Sequence, residues 1–149
     1  MVRRDPMAMI AFCGYNMGDY FAHWLKMGKA VRHPPRIFRV NWFRKDANGK
    51  FIWPGFGENM RVLEWIVGRC HGTLHGVDTA LGIIPRFQDL NWSGMPKFSR
   101  DQYEDIARVD AGAWKEEVVS HDELLGKLGS RLPAALAQCR TQLDGKLAA

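Results

Sequence analysis

Phe43, Phe51, Phe56 and Asn59 fall within one run, Asn41-Trp-Phe-Arg-Lys-Asp-Ala-Asn-Gly-Lys-Phe-Ile-Trp-Pro-Gly-Phe-Gly-Glu-Asn59. Five aromatic rings stand there among two lysines and an arginine. That mixture suits a flat, anionic, hydrogen-bonding ligand, and a nucleotide meets all three conditions. A purine base has two π-faces and a polar edge. Stacking one base on an aromatic ring is worth roughly 1–3 kcal/mol in single-strand binders. The edge then supplies discrimination, because a buried polar group left unpaired costs about 1–3 kcal/mol. Asn59 follows Phe56 by three residues at an expected helix start, where backbone N–H groups lack intrahelical partners. Its amide and the nearby backbone suit such an edge.

The elements that must hold these groups are legible in outline. Ile37 to Phe43 is rich in β-branched and aromatic residues and predicts a strand. Asp46-Ala-Asn-Gly49 predicts a turn, and Lys50 to Trp53 a return strand, so the pair reads as a hairpin. Pro54-Gly55 stops it. Gly57-Glu58-Asn59 leads into a helix from Met60 to about Gly68, with Val62, Leu63, Ile66 and Val67 on one face. Aromatic residues in hairpins are most often core or cross-strand pairs, so the hairpin alone does not establish a ligand. Gly55-Phe-Gly-Glu-Asn-Met60 lacks the third glycine of the dinucleotide fingerprint, and no G-x-x-x-x-G-K-[ST] occurs in the chain.

Elsewhere the sequence predicts a mixed α/β chain that is mostly helical after residue 100. An early helix spans residues 16 to 28, with Asn16 as cap, Gly28 as stop, and Met17, Tyr20, Phe21, Trp24 and Leu25 on its apolar face. The face of Met17, Phe21 and Trp24 is a candidate for apolar surface left uncovered. His33-Pro-Pro35 then breaks the chain. Residues 70 to 98 read as irregular, with a short strand or turn at Leu81 to Pro85. Further helices carry Tyr103 and Ile106, then Trp114 and Val118 after Asp110, then Leu124, Leu125 and Leu128 up to Gly129. The last starts at Pro133 with Leu136, Cys139, Leu143 and Leu147 as its stripe.

The 149 residues and 46% hydrophobic content fit one ordinary globular domain or a piece of one. No apolar run reaches the ~20 residues that a membrane span needs, and no secretion signal is read at the start. Three scattered cysteines argue against a disulfide framework and for a reducing, cytoplasmic setting. The net charge of +5 is spread thinly, which favours a phosphate-bearing small ligand over nucleic acid. Cys70, His71 and His75 fit no common zinc spacing, so no metal site is expected. Arg3, Arg4, Arg44 and Lys45 are within reach of phosphates in principle, with surface roles the commoner fate of such residues.

The central run resembles the guanine-site segment of GTP-dependent phosphoenolpyruvate carboxykinase. The similarity extends upstream through Arg4-Asp-Pro-Met-Ala-Met9 and Phe12-Cys-Gly-Tyr-Asn-Met-Gly-Asp-Tyr20. It extends downstream through Arg61-Val-Leu-Glu-Trp65, Val109-Asp110, Trp114-Lys-Glu-Glu-Val118 and Leu132-Pro133. The resemblance implies that Phe43, Phe51 and Phe56 hold guanine with Asn59, and that Trp42 and Trp53 pack behind them. It implies the C-terminal part of the family's nucleotide-binding domain. Residues 1–36 would form a helix and linker, 37–68 the guanine-site hairpin and helix, and 100–149 a helical tail.

The resemblance also implies an activity for the full-length enzyme: oxaloacetate and GTP give phosphoenolpyruvate, GDP and carbon dioxide, a lyase reaction of gluconeogenesis. Mn2+ or Mg2+ would assist, and the full-length enzyme would be monomeric, with no nucleic-acid or membrane partner. Two departures stand out. The family's phosphate loop, manganese ligands, substrate arginines and lid lie upstream of anything in this sequence, so the chain reads as a C-terminal piece, inactive alone and without catalytic residues of its own. Met60 occupies a position where the family usually has serine. The alternative is a non-catalytic guanine-nucleotide-binding module.

Overall fold

Asn16 opens the first helix as its side chain dictates: Oδ1 accepts from the Gly18 N–H at 2.7 Å. Helix α1 (Met17–Ala30) passes through Gly28 rather than stopping there, and ends where Val31 turns extended ahead of Pro34-Pro35. An interior glycine costs a helix about 1 kcal/mol and does not by itself end it. The computed structural model describes residues 9–148, which fall into two units. One combines the chain up to Pro35 with the chain from Asp110; the other is Arg36–Val109.

The first unit is helical. Its core holds Met17, Val118, Leu128 and Leu147. Beside α1 it contains α4 (Ala111–Leu128) and α5 (Ala134–Ala148). Asp110 caps α4 by accepting from the Ala113 N–H at 3.0 Å. The two helices expected between Asp110 and Gly129 are this one helix, because no proline or glycine interrupts Val118 to Leu125. Helices α4 and α5 pack together, and Arg140 ties them by donating to both carboxylate oxygens of Asp122 at 2.8 and 2.7 Å. That pairing holds the Asp122 carboxyl below its usual range. Gly18 is required by packing: a Cβ there would lie 2.4 Å from the Arg131 carbonyl oxygen.

The second unit is built around Trp65, Leu90, Phe98 and Tyr103, with Phe38, Ile66, Leu74, Phe87 and Trp92 packed against them. Helix α2 (Asn59–His71) contributes Trp65, whose indole N–H donates to the His75 carbonyl at 2.9 Å. The expected apolar face is rotated as a result. Trp65 and Ile66 face the core, while Leu63 and Val67 are exposed, because the larger aromatic surface claims the interior. Helix α3 (Arg100–Ala107) begins with a capping box between Ser99 and Gln102.

The mixed architecture of helices plus one antiparallel hairpin holds, but the hairpin lies elsewhere. Its strands are β1 (Val77–Thr79) and β2 (Gly82–Ile84), in register Val77↔Ile84, Asp78↔Ile83 and Thr79↔Gly82. Ile37 to Phe43 is not a strand. Around the Asp46–Gly49 turn a single bridge, Lys45↔Phe51, forms instead. The ladder reaches the bond from the Ile52 N–H to the Arg44 carbonyl (3.0 Å) and stops. Trp53 is drawn into the core and Pro54 has no N–H to continue it.

Candidate functional site

The turn that presents the aromatic run is set by Asp46. Its Oδ1 accepts from the N–H groups of Asn48 and Lys50, each at 2.9 Å, and Gly49 takes the left-handed conformation at φ 78°. The bridge then brings Phe43 and Phe51 together, with ring centroids 5.9 Å apart and planes at 64°. Both rings face solvent, at 71% and 51% exposure. Lys45 Nζ stands 5.2 Å from the Phe51 centroid, a cation over its π-face.

Gly55, at φ 128°, makes the corner that only glycine makes readily. The chain enters a short 3-10 turn, Phe56–Glu58, which runs straight into α2. Phe56 sits on this corner at 91% exposure and, among the described residues, pairs with no other ring. Asn59 is the first residue of α2 and is half-buried. Its Oδ1 accepts from the Trp53 indole N–H at 2.8 Å. Trp53 is 7% exposed and lies against Trp42 (5.6 Å) and Phe98 (6.2 Å). Of the four residues read as a base site, then, Phe43 and Phe51 touch each other, Phe56 stands apart on the exit corner, and Asn59 joins the run through Trp53.

Two arginines fix this frame. Arg44 Nη1 donates to the carbonyls of Ile106 (3.0 Å) and Arg108 (2.7 Å), at the C-terminal end of α3. It is therefore committed to carbonyl oxygens. Arg61 pairs with Glu58 (2.6 Å) and also donates to the carbonyls of Asn91 and Ser93, which holds the start of α2 against the following loop. Sequence reading missed the Trp53–Asn59 bond and the anchoring roles of Arg44 and Arg61. One signal was available: an indole N–H that is buried must find an acceptor, and Glu58 and Asn59, at the helix entry, are the first side-chain acceptors that follow it. Arg3 and Arg4 lie outside the described residues.

A family model described as the phosphoenolpyruvate carboxykinase C-terminal P-loop domain matches residues 1–146. A phosphoenolpyruvate carboxykinase [GTP] of Anaeromyxobacter dehalogenans is 48% identical over 143 residues, 96% of this chain and 24% of that protein. The corresponding protein of Treponema pallidum is 44% identical over 149 residues, 98% of this chain and 24% of its own length. That of Chlamydia muridarum is 44% identical over 147 residues, with the same two shares. This chain thus spans about a quarter of the length of these curated relatives. With the family model spanning residues 1–146 and relatives 44% to 48% identical over nearly the whole chain, the chain belongs to the GTP-dependent phosphoenolpyruvate carboxykinase family.

Proposed function

We propose that this chain supplies guanine recognition for a GTP-dependent phosphoenolpyruvate carboxykinase, which converts oxaloacetate and GTP to phosphoenolpyruvate, GDP and carbon dioxide. Phe43, Phe51 and Phe56 would stack on or edge the base, and Asn59 would bond its polar rim. The observation that carries this reading is the exposure of the touching pair Phe43 and Phe51, at 71% and 51%, and of Phe56 at 91%, in a run whose Trp53 is only 7% exposed. Large rings left in water within one short segment suit a surface that receives something apolar. Membership of a GTP-dependent family supports a guanine nucleotide as that ligand. The site would read GTP and GDP in a cytoplasmic enzyme.

The chain's own part in the chemistry is binding and orientation of the nucleotide. A divalent metal, implied by the family resemblance, finds no donor set: among the described residues no group of three His, Cys, Asp or Glu side chains could hold an ion. The second reading, a guanine-nucleotide-binding module without chemistry, is favoured for the 149 residues taken alone, because they contain no G-x-x-x-x-G-K-[ST].

Calorimetric titration with GTP, GDP and ATP tests the site. Both guanine nucleotides are expected to bind more tightly than ATP. Phe56→Ala should weaken GTP by roughly 1–3 kcal/mol, the worth of one stacked base. Binding that Phe56→Ala leaves unchanged would remove Phe56 from the site. Mixing the chain with oxaloacetate, GTP and Mn2+ should yield no phosphoenolpyruvate, and measured turnover would refute the module reading.

A further inference from the structure

Trp53 does more than pack. An indole nitrogen can only donate. Its bond to Asn59 Oδ1, at 2.8 Å, therefore settles which way the amide faces. The oxygen is turned inward to the indole, and the nitrogen, with its two N–H donors, is turned away. Among the described residues no acceptor meets Asn59 Nδ2. The indole itself has little freedom to release the oxygen, since it is buried between Trp42 and Phe98, and Phe98 belongs to the core cluster.

We propose that Trp53 is a specificity-determining positioning residue: it locks the Asn59 amide with its donors outward, so that the site accepts a purine with an oxygen at position 6 and disfavours one with an amine there. Guanine presents O6, an acceptor, whereas adenine presents the N6 amine, a donor. Two donors facing each other leave both unpaired, and without the lock the amide would rotate to offer its oxygen to adenine. This rests on the guanine-site reading above, with Asn59 as the residue at the base edge.

Trp53→Phe keeps the ring and deletes the N–H. In the 149-residue chain, calorimetry with GTP and ATP should show the wild-type preference for GTP falling about tenfold in the variant, the factor carried by one hydrogen bond of ordinary strength. An unchanged GTP-to-ATP ratio in a folded Trp53→Phe chain overturns the positioning role and leaves the guanine site standing. A wild-type chain that prefers ATP, or that binds neither, overturns the guanine-site reading and this inference with it. Because Trp53→Phe perturbs a buried position, the lock is also read in the wild-type core by the Trp53 indole N–H resonance. It should exchange slowly with solvent and shift when Asn59 is changed to Ala. A resonance that Asn59→Ala does not move means that the bond is not made, and the inference fails on that result alone.

Discussion

At the scale of single residues, polar atoms at the edge of apolar surroundings decide what each aromatic side chain does. Trp53, Trp65 and Trp92 all find acceptors for their N–H groups: Asn59 Oδ1, the His75 carbonyl and the Phe87 carbonyl. Tyr103 does the same through its hydroxyl, which donates to the Pro85 carbonyl. Its ring lies against Phe87 and Trp92, 5.8 and 5.9 Å away. Burial, and secondarily the negative charge of Asp89, push its hydroxyl up to about 12 from a usual value of 10.0. The unfolded chain loses the tyrosine proton first, so the stability tied to neutral Tyr103 is whole below pH 10.0 and drains away as pH rises toward about 12. Spectroscopic titration should show one of the three tyrosines ionising last, together with loss of structure by circular dichroism. Tyr103→Phe should abolish that late step. If all three tyrosines ionise together near pH 10 while the fold persists, Tyr103 is not held as described.

At the scale of elements, the turn and caps were legible and the pairing was not. Asn16, Asp46-Ala-Asn-Gly49 and Asp110 each carry a side chain that bonds nearby backbone, and each marks the boundary expected of it. Strand pairing is decided by distant packing, which local composition does not contain. Ile37 to Phe43 has β-forming residues but no partner, since its return segment ends at Trp53 and Pro54. Val77 to Thr79 is too short to stand out, yet it pairs because Thr79 closes the turn, accepting from the Leu81 N–H at 3.2 Å and donating to the Gly82 carbonyl at 2.8 Å. What replaces the missing strand is Arg44. Its guanidinium satisfies two carbonyls at the end of α3, where orphan acceptors and the negative end of the helix dipole both favour a cation. Arg44→Met, which keeps the stem and removes the donors, should destabilise the chain by about 1–3 kcal/mol. Urea unfolding followed by tryptophan fluorescence measures it. Arg44→Met that melts like wild type would assign the anchoring of the Phe43–Phe51 pair to the Lys45↔Phe51 bridge instead.

At the scale of the whole molecule, apolar surface is left uncovered on the helix where the sequence signalled it and on a second one. Of the face read on α1, Met17 is buried, Phe21 is half-buried and Trp24 is exposed. A further stripe is on α2, where Met60, Leu63 and Val67 recur at helical spacing and all stand exposed. That second stripe was not legible for a physical reason: periodicity gives the width of an apolar stripe, and it does not say which of two overlapping faces the largest ring will take inside. No described helix is long and apolar enough to cross a membrane, and the α2 stripe stands exposed in the chain taken alone. Association driven by it should strengthen with sulfate, which favours apolar burial. Repulsion from the net charge of +5 opposes it at low salt, where screening is weak. Light scattering of the 149-residue chain should therefore rise with protein concentration and with ammonium sulfate. Met60→Ser combined with Val67→Ser should lower it without changing the far-ultraviolet circular dichroism, since both side chains are exposed. A single-chain mass at every concentration and salt would mean that the stripe is too narrow to recruit a partner. The α2 face would then be ordinary surface apolarity of the kind that monomeric proteins carry.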